Sequence, residues 1–519
     1  MSDIKVIKPS FEILEPSMSQ TKKVAKMTRI CYRSEAAASE EADANLIKNC
    51  IRRTHRSVLE HGFVSCIFAG APIDPEKLKV FGEYKDARIT SDAIWNNFDS
   101  PDRRKYVEVY GDDEIYKMID GAGAPQKTYD CYAANFHTWL RILDDYLSAA
   151  LQRKFTLGTA FMLTLITRMH NAFPEVFELL YNTIDEALSQ VPKDSGFFKL
   201  CYPNGAPDDT KLGIKSFEQF FPLFDMIVAP SCGRMTFSAI LRTDRAVTHE
   251  LVRHRRGVAY SQESQRYVNY QNKGYEVVWP QMDPVKYEKS KFTTVPTIKE
   301  GATEATTEDL CILEGGYIPD KSSAFNVWHA AMELAASHYE SLRGIVIGEV
   351  PASDGTGDSS QVHIPPEVAR TVLPNSFATT IGVTWTPATF ANLMYRRLDK
   401  DAQYPIRSLI GRVVIEALKN KHPFFENFPP SLVRRWIDNA QKFKILTDSN
   451  LATELINYQN KRRENIEKKI SDALKKAKEK YEADEKARKE RIAKKAEEEA
   501  KKKASEIPPP VQSAATETK

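Results

Sequence analysis

The stretch Thr248–Tyr270, THELVRHRRGVAYSQESQRYVNY, combines four arginines with two histidines, two serines and two glutamines. Arg253 and Arg255 flank His254 at the end of a segment with helical spacing, so the two guanidinium groups can face different ligand groups. Arginine offers fixed bidentate donors to phosphate, and small hydroxyls and amides suit a planar heterocycle. The stretch therefore predicts a pocket for an anion, with a solvated basic face as the alternative.

Other kinds of site have less support in the sequence. His249 and His254 are five residues apart and His55 and His61 are six apart, so neither pair has the HExxH spacing, and we predict no metal. The chain has no GxGxxG stretch and no Walker A loop, so a dinucleotide would not bind through a Rossmann fingerprint. The seven cysteines are scattered, with none beside a His/Asp cluster that would activate a nucleophile.

Composition sets the broad class of the protein. The 519 residues carry a net charge of +3, and 42% of them are hydrophobic. The excess of positive charge falls after Lys461, so the rest of the chain is mildly acidic and no nucleic acid is expected for the core. An odd number of unpaired cysteines predicts reduced thiols and a cytoplasmic protein. The first residues lack an apolar stretch, and no apolar run approaches membrane-spanning length, so we expect neither a signal peptide nor a membrane contact.

Hydrophobic periodicity predicts an α+β fold. Residues 1–69 read as a helix and then a buried strand, and residues 226–445 read as strands alternating with helices. Between them, residues 70–225 become helical from about Tyr129, which predicts an inserted mainly helical subdomain. Residues 446–505 predict a long charged helix, solvated rather than a coiled coil, with an unknown partner if it has one. Residues 506–519 predict a disordered tail.

Four ordered elements resemble the flavin-dependent thymidylate synthase family, ThyX. The family signature RHRxxSxxxxSxRY is similar to Arg253–Arg255 followed by Ser264–Tyr267. Its HESxxEH element is similar to His55–His61, which taken alone reads as a capped helix start. Its EVARxVLP element is matched by Glu367–Pro374. Its NxxxLRxxxxAQxxIR helix resembles Asn392–Arg407, although Tyr395–Arg407 taken alone reads as a solvated helix face. The resemblance covers roughly residues 20–69 and 226–425 and implies a ThyX-like antiparallel sheet with helices.

The resemblance implies reductive methylation of dUMP to dTMP, with FAD as cofactor and with NADPH and methylenetetrahydrofolate as co-substrates. It also implies a homotetramer that shares FAD between subunits. Arg397 would be catalytic at the uracil edge, where a fixed cation lowers the pKa of the base. The remaining roles are also implied by the resemblance. The cofactor contacts would be Ser57, Arg253, His254, Arg255, Gln262 and Asn392, and the nucleotide contacts would be Glu250, Arg253, Ser264, Gln265, Arg266, Arg370 and Arg397.

The sequence also departs from the family pattern. One extra residue separates Arg255 from Ser264, the first serine of the signature falls on Ala259, and the family's Asn-x-Arg falls on Thr386-Pro387-Ala388. These departures leave two alternatives to thymidylate synthesis. One is a related enzyme that hydroxymethylates dUMP or acts on another pyrimidine nucleotide, and the other is a non-catalytic homologue with a binding or assembly role.

Overall fold

A computed structural model describes residues 4–34, 38–69, 108–110, 129–151, 157–194, 198–199, 202, 204–215, 225–230, 235–255, 257–278, 283, 324–351 and 359–505. Within these residues the fold is α+β, as the sequence predicts. The strands are β1 (Ile4–Ile7), β2 (Ser10–Ile13), β3 (Phe63–Ala69), β4 (Glu108–Tyr110), β5 (Tyr129–Asn135), β6 (Asp225–Pro230), β7 (Phe237–Asp244), β8 (Val258–Gln262), β9 (Tyr275–Val278), β10 (Val346–Pro351), β11 (Ser359–His363) and β12 (Ala378–Trp385).

The helices carry most of the described chain, and a 3-10 helix, Arg56–His61, lies between the second of them and β3. The α-helices are α1 (Gln20–Ile30), α2 (Glu40–Arg52), α3 (Phe136–Leu151), α4 (Leu157–Ala172), α5 (Pro174–Ser189), α6 (Arg245–Leu251), α7 (Tyr270–Lys273), α8 (Ala324–Gly344), α9 (Pro366–Ala369), α10 (Pro387–Arg397), α11 (Tyr404–Lys419), α12 (Pro430–Lys442) and α13 (Ser449–Ser505).

The central sheet has the strand order β2-β7-β12-β8, and all its pairs are antiparallel. Strand β12 is buried along most of its length because β7 and β8 flank it and helices cover its faces. Gly382 in this strand lies directly under α1, where an added Cβ would meet the Met27 sulfur. A side chain there would push α1 off the sheet.

A second sheet, β4-β5-β3-β6, joins three regions of the sequence. Strand β3 pairs with β5 over Phe63–Ala69 and with β6 on its other edge. These strand pairs connect residues on both sides of the domain boundary predicted at residue 70. In addition, Trp139 of α3 donates a hydrogen bond from Nε1 to the Val64 carbonyl at 3.2 Å. The first part of the chain and the described part of residues 70–225 therefore share one hydrophobic core.

Two details of the sequence interpretation are wrong. Residues 129–135 form a strand rather than the beginning of the helical region, because their pairing with β3 prevails over local helical spacing. Arg407 is almost fully buried, although its segment reads as a solvated helix face. It donates to Asp283 at 2.8 Å and lies 4.4 Å from the Phe443 ring centroid. That carboxylate and that ring partly compensate the burial of the guanidinium, whose Nε has no hydrogen-bond partner among the described residues.

The core of the central sheet is completed by the helices that follow it. Phe237 and Trp385 stack with ring centroids 5.8 Å apart, and Phe390 and Phe424 meet in edge contacts. Helix α13 begins on this core, since Ala452 and Leu455 are buried in the same cluster. Arg462 donates a hydrogen bond to the Phe425 carbonyl at 3.2 Å. From residue 463 onward the described side chains are exposed.

We expect the long helix to have two parts with different roles in stability. Ending the chain after Lys468 should leave the melting temperature within about 2 °C of the full chain, because only exposed side chains are lost. Ending it after Asp448 should lower the free energy of unfolding by about 2–5 kcal/mol, because buried Ala452 and Leu455 are lost. Urea unfolding of both shortened chains measures the difference, and equal stabilities would contradict this division.

Candidate functional site

The best-defined polar cluster lies at the C-terminal end of α6. Arg397, in the last turn of α10, donates to the Glu250 carboxylate from Nη1 and to the Glu250 carbonyl from Nη2, at 3.0 Å for the latter. Its Nε donates to Nε2 of His254 at 3.1 Å. Arg253 lies 3.3 Å from the other Glu250 oxygen. The structure therefore brings together four residues that the sequence assigns to the site.

Geometry fixes the protonation of His254 in this cluster. Because Nε2 accepts from Arg397, the ring carries its proton on Nδ1. Burial lowers the pKa of His254, and the charges of Arg397 and Arg396 lower it further, while Glu250 raises it. His254 is therefore a neutral acceptor that helps hold the Arg397 side chain in place.

Tyr260 holds the RHR segment against the sheet. Its single hydroxyl proton lies between two acceptors, the carbonyl oxygens of Leu251, at 2.7 Å, and of His254, at 2.9 Å. Gly257 has a φ of 59° and packs so closely on Thr386 that an added Cβ would lie 2.6 Å from that hydroxyl oxygen. The Thr386 backbone N–H donates to the Gly257 carbonyl at 3.0 Å, so this tight turn lies against the start of α10, the helix that carries Arg397.

The cofactor residues predicted from the sequence lie in different environments. The Arg253 side chain is 68% exposed although one of its nitrogens lies near Glu250, and Arg255, Ser57 and Asn392 are exposed as well. Gln262 is different, because its amide nitrogen already donates to Thr248 at 3.0 Å and to Thr379 at 3.3 Å within the sheet. Of the six predicted cofactor residues, four are therefore exposed, whereas His254 is held in the Arg397 cluster and Gln262 in a hydrogen-bond network of the sheet.

The predicted phosphate-binding residues form a second group at the other end of β8. The Ser264 backbone N–H donates to the Cys31 carbonyl at 3.1 Å. Nε2 of Gln265 is buried without a hydrogen-bond partner among the described residues. Arg266 is exposed, with its guanidinium carbon 5.3 Å from the Tyr267 ring centroid. A buried donor beside an exposed guanidinium suits an anionic ligand.

Arg370 follows a residue of a core that this second group also borders, and its Nε donates to the Glu367 carbonyl at 3.2 Å. The adjacent Ala369 packs in the same buried cluster as Val268 and Tyr270, which follow the Ser264–Tyr267 segment. Strand β8 separates this group from the Arg397 cluster, and its five residues span about 16 Å. Among the described residues, the two groups therefore lie at opposite ends of β8, and we call each group a half-site.

Glu263, whose role the sequence leaves unassigned, anchors the second half-site. Its carboxylate accepts from the Tyr270 hydroxyl at 2.8 Å and lies 3.8 Å from Arg33. Arg245 donates to its carbonyl at 3.1 Å. Glu263 is buried by these contacts, so it orients the loop rather than facing a ligand. Because Glu263 is a charged residue between two polar ones, nothing in the sequence indicates that it is buried.

His61 also has a role that its sequence pattern does not indicate. The HRSVLEH segment suggests a capped helix start, but no side chain caps the 3-10 helix, and His61 is fully buried. Its Nδ1 contacts the Thr384 hydroxyl at 2.8 Å and its Nε2 the Ser261 hydroxyl at 3.0 Å. Because two strands of the central sheet supply these hydroxyls, His61 fastens the 3-10 helix with Ser57 to that sheet.

Comparison with known proteins shows which proteins this chain resembles. Residues 233–424 match the family model for thymidylate synthase complementing protein, Thy1. The flavin-dependent thymidylate synthase of Geobacter sulfurreducens is 28% identical over 165 residues, covering 32% of this chain and 48% of that protein. The chain thus spans about half the length of this curated relative. These two matches show a ThyX-like protein, in agreement with the sequence resemblance.

Solved structures of the UMP/dUMP methylase PolB from Streptomyces cacaoi are also similar. The form bound with 5-Br dUMP has 17% identity, covers 37% of this chain and 72% of its own, and gives a TM-score of 0.24. The form bound with 5-Br UMP, also at 17% identity, covers 41% and 75% respectively, with a TM-score of 0.23. No helix in the described part of the chain is long and apolar enough to cross a membrane.

The stability of this scaffold should depend on pH through His61. Burial lowers the pKa of His61 to about 3, below its ordinary value of 6.5, so the unfolded state binds the proton first as the pH falls. Stability should therefore be lost below about pH 6.5, at about 1.4 kcal/mol per pH unit for this group. For His61→Gln, the free energy of unfolding should depend less steeply on pH, by about 1.4 kcal/mol per pH unit. Urea unfolding at several pH values between 7 and 5 measures this dependence.

The exposed His363 provides the control for this measurement. His363→Gln should retain the pH dependence of the unchanged protein, because it removes a histidine that is not buried. If His61→Gln and His363→Gln gave the same slope, the buried imidazole would not be the source of the acid sensitivity.

Proposed function

We propose that this chain is a flavin-dependent thymidylate synthase that converts dUMP to dTMP, with methylenetetrahydrofolate as carbon donor and NADPH as reductant. The observation that carries the proposal is the Arg397–Glu250–His254 cluster, which holds a guanidinium in a defined orientation at the edge of a ThyX-like domain. The Geobacter sulfurreducens relative supports the choice of a flavin cofactor. Free thiols at Cys31 and Cys50 fit the cytoplasmic setting that the proposal requires.

Arg397 would act on the uracil ring of dUMP. A guanidinium beside the ring favours loss of the N3 proton, and the resulting negative charge makes C5 a stronger nucleophile. Glu250 moderates this effect, because its carboxylate already neutralises part of the Arg397 charge. Since three contacts fix the guanidinium before the substrate binds, little reorganisation is needed when charge develops on the base.

Ser264, Gln265, Arg266 and Arg370 would hold the nucleotide phosphate. The unpartnered amide of Gln265 and the exposed guanidinium of Arg266 offer donors that an anion can accept. Binding energy at the phosphate positions the distant ring, and this positioning is what such remote contacts contribute to catalysis.

The residues at the RHR end fit a flavin with a diphosphate. Arg253, Arg255, Ser57 and Asn392 are exposed and would hold FAD together with His254, while Gln262 would support them from the sheet. When bound, FAD would supply the reducing equivalents for the methyl group. Thr386-Pro387-Ala388 offers no arginine to that cofactor, so more of its phosphate binding falls to Arg253 and Arg255.

The proposal also includes an assembly of several copies, a homotetramer. One chain leaves its two half-sites about 16 Å apart along β8, so the Arg397 end of one copy would meet the Arg266 end of another. A site completed across a subunit boundary explains why each half-site within one chain presents exposed donors.

Product analysis tests the reaction. Purified protein should be yellow, with a flavin spectrum, and should form dTMP from dUMP when methylenetetrahydrofolate and NADPH are present. A hydroxymethylated product would replace the proposal with the related hydroxymethylase. A protein that neither takes up FAD nor forms a product would support a non-catalytic homologue.

Mixing two inactive variants tests the shared site. Arg397→Ala and Arg266→Ala should each abolish turnover, because each removes one half-site. Refolded together in equal amounts, they should recover about a quarter of the unchanged activity. Half of the subunit pairs are then mixed, and each mixed pair has one intact site. No recovery from co-refolded protein would place both residues in the site of a single chain.

A further inference from the structure

A histidine from the region between the two ThyX-like segments lies beside a predicted cofactor element. Nδ1 of His137, in the first turn of α3, lies 3.2 Å from the Glu60 carboxylate. Because an ionised carboxylate only accepts hydrogen bonds, Nδ1 carries a proton and donates it to Glu60. His137 lies outside residues 233–424, which match the family model. The pair therefore joins a part of the chain without an assigned role to the element that carries Ser57.

Glu60 shares its side of the 3-10 helix with Ser57, a predicted FAD contact. A 3-10 helix has about three residues per turn, so side chains three positions apart lie one above the other. Arg56–His61 forms such a helix, which places Ser57 and Glu60 on one face. Ser57 is exposed, and the Glu60 side chain is 36% exposed. A ligand that contacts Ser57 therefore comes within reach of the Glu60 carboxylate.

The beginning of α3 is fixed against the end of this 3-10 helix. The Phe136 backbone N–H donates to the Gly62 carbonyl at 2.9 Å, and a Cβ added to Gly62 would collide with the Phe136 ring. The Thr138 backbone N–H donates to the Asn135 side chain at 2.7 Å. His137 lies between these two contacts in the chain, so its backbone has little freedom to move.

The 3-10 helix itself lies at the RHR end of the central sheet. His61, its last residue, contacts Thr384, which pairs with Ala259 in β8. Ala259 comes four residues after Arg255, the last residue of the RHR segment. Glu60 is therefore carried to the end of the sheet at which the predicted flavin contacts lie.

We propose that His137 is a positioning residue for FAD, and that it orients the Glu60 carboxylate to accept a hydrogen bond from a sugar hydroxyl of the cofactor. A carboxylate repels the FAD diphosphate, which suits Arg253 and Arg255 instead. Acidic residues do accept hydrogen bonds from the ribose of bound dinucleotides. The contact with His137 restricts Glu60 before the cofactor binds, so less entropy is lost on binding. The inference rests on the proposed function in one respect, because it requires FAD as the cofactor.

The affinity of the full chain for FAD tests the proposal. His137→Ala should weaken FAD binding by about three- to tenfold, because Glu60 loses the contact that restricts it. His137→Gln keeps a hydrogen-bond donor, so its dissociation constant should stay within about twofold of the unchanged value. Titration of FAD into the flavin-free full chain, followed by flavin fluorescence, measures these constants, and circular dichroism checks the fold of each variant.

The His329–Glu333 pair of α8 supplies a matched control. Its nitrogen and oxygen are 3.7 Å apart, and its side chains are 28% and 36% exposed, compared with 27% and 36% for His137 and Glu60. His329→Ala should leave FAD affinity unchanged, because it removes a similar pair that no predicted cofactor contact adjoins. Equal FAD affinities of folded His137→Ala and folded His329→Ala would overturn the proposal, since a half-exposed pair without a role contributes little.

A combined substitution shows whether His137 acts through Glu60. Glu60→Gln alone should weaken FAD binding. Adding His137→Ala to it should weaken binding by less than about twofold more, because the carboxylate that His137 orients is already absent. If His137→Ala had its full effect in the Glu60→Gln protein as well, His137 would not position Glu60, and the proposal would be wrong.

The outcome can be told apart from that of the proposed reaction. Unchanged FAD affinity in His137→Ala, with dTMP formed by the unchanged protein, would overturn this inference and leave the reaction standing. Lowered FAD affinity in His137→Ala but not in His137→Gln, with no dTMP formed by the unchanged protein, would support this inference and refute the reaction. An unchanged protein that takes up no FAD would refute both.

Discussion

The position of β12 between β7 and β8 is the constraint on which the rest of the site depends. Strand β7 leads directly into α6, β8 follows the RHR segment, and β12 leads into α10. The register sets Ala378 opposite Asp244, and it places Trp385 opposite both Phe237 and Val258. A strand shifted by one residue would turn its buried side chains outward. The meeting of Arg397 with Glu250 and His254 is thus a consequence of sheet register.

A buried polar seam crosses this sheet and specifies how α1 and the 3-10 helix sit on it. The hydroxyls of Ser238 and Thr384 lie 2.9 Å apart, and His61 bridges Thr384 to Ser261. Burial lowers the pKa of nearby Lys23 to about 8, and its Nζ donates to Thr236 at 3.4 Å. Polar groups in a core are costly unless they are paired, so this seam tolerates few alternative arrangements. These paired polar groups favour one arrangement of the scaffold, at some cost in stability.

The central sheet and its helices could be predicted from sequence because their patterns are local. Strand β7 and helix α6 appear where hydrophobic alternation changes to helical spacing, and the Thr248–Tyr270 stretch lies at that change. Burial of Arg407 and Glu263 could not be predicted, because the partners Asp283 and Arg33 are distant in sequence. The strand β5 could not be predicted for the same reason, because its partner β3 is some 60 residues away.

The sequence by itself determined the chemistry that this protein can offer: arginines, a histidine, small hydroxyls and amides in an order that resembles ThyX. Side-chain identity sets charge, hydrogen-bonding capacity and local helix or strand preference, so these properties can be read without a fold. Only the tertiary structure decided which donors are occupied and which remain open. Gln262 is committed to the sheet and Arg397 to Glu250, whereas Arg253 and Arg266 face outward. The separation of the two half-sites along β8 was also decided there, because strand pairing between distant segments fixes distances that local sequence does not encode.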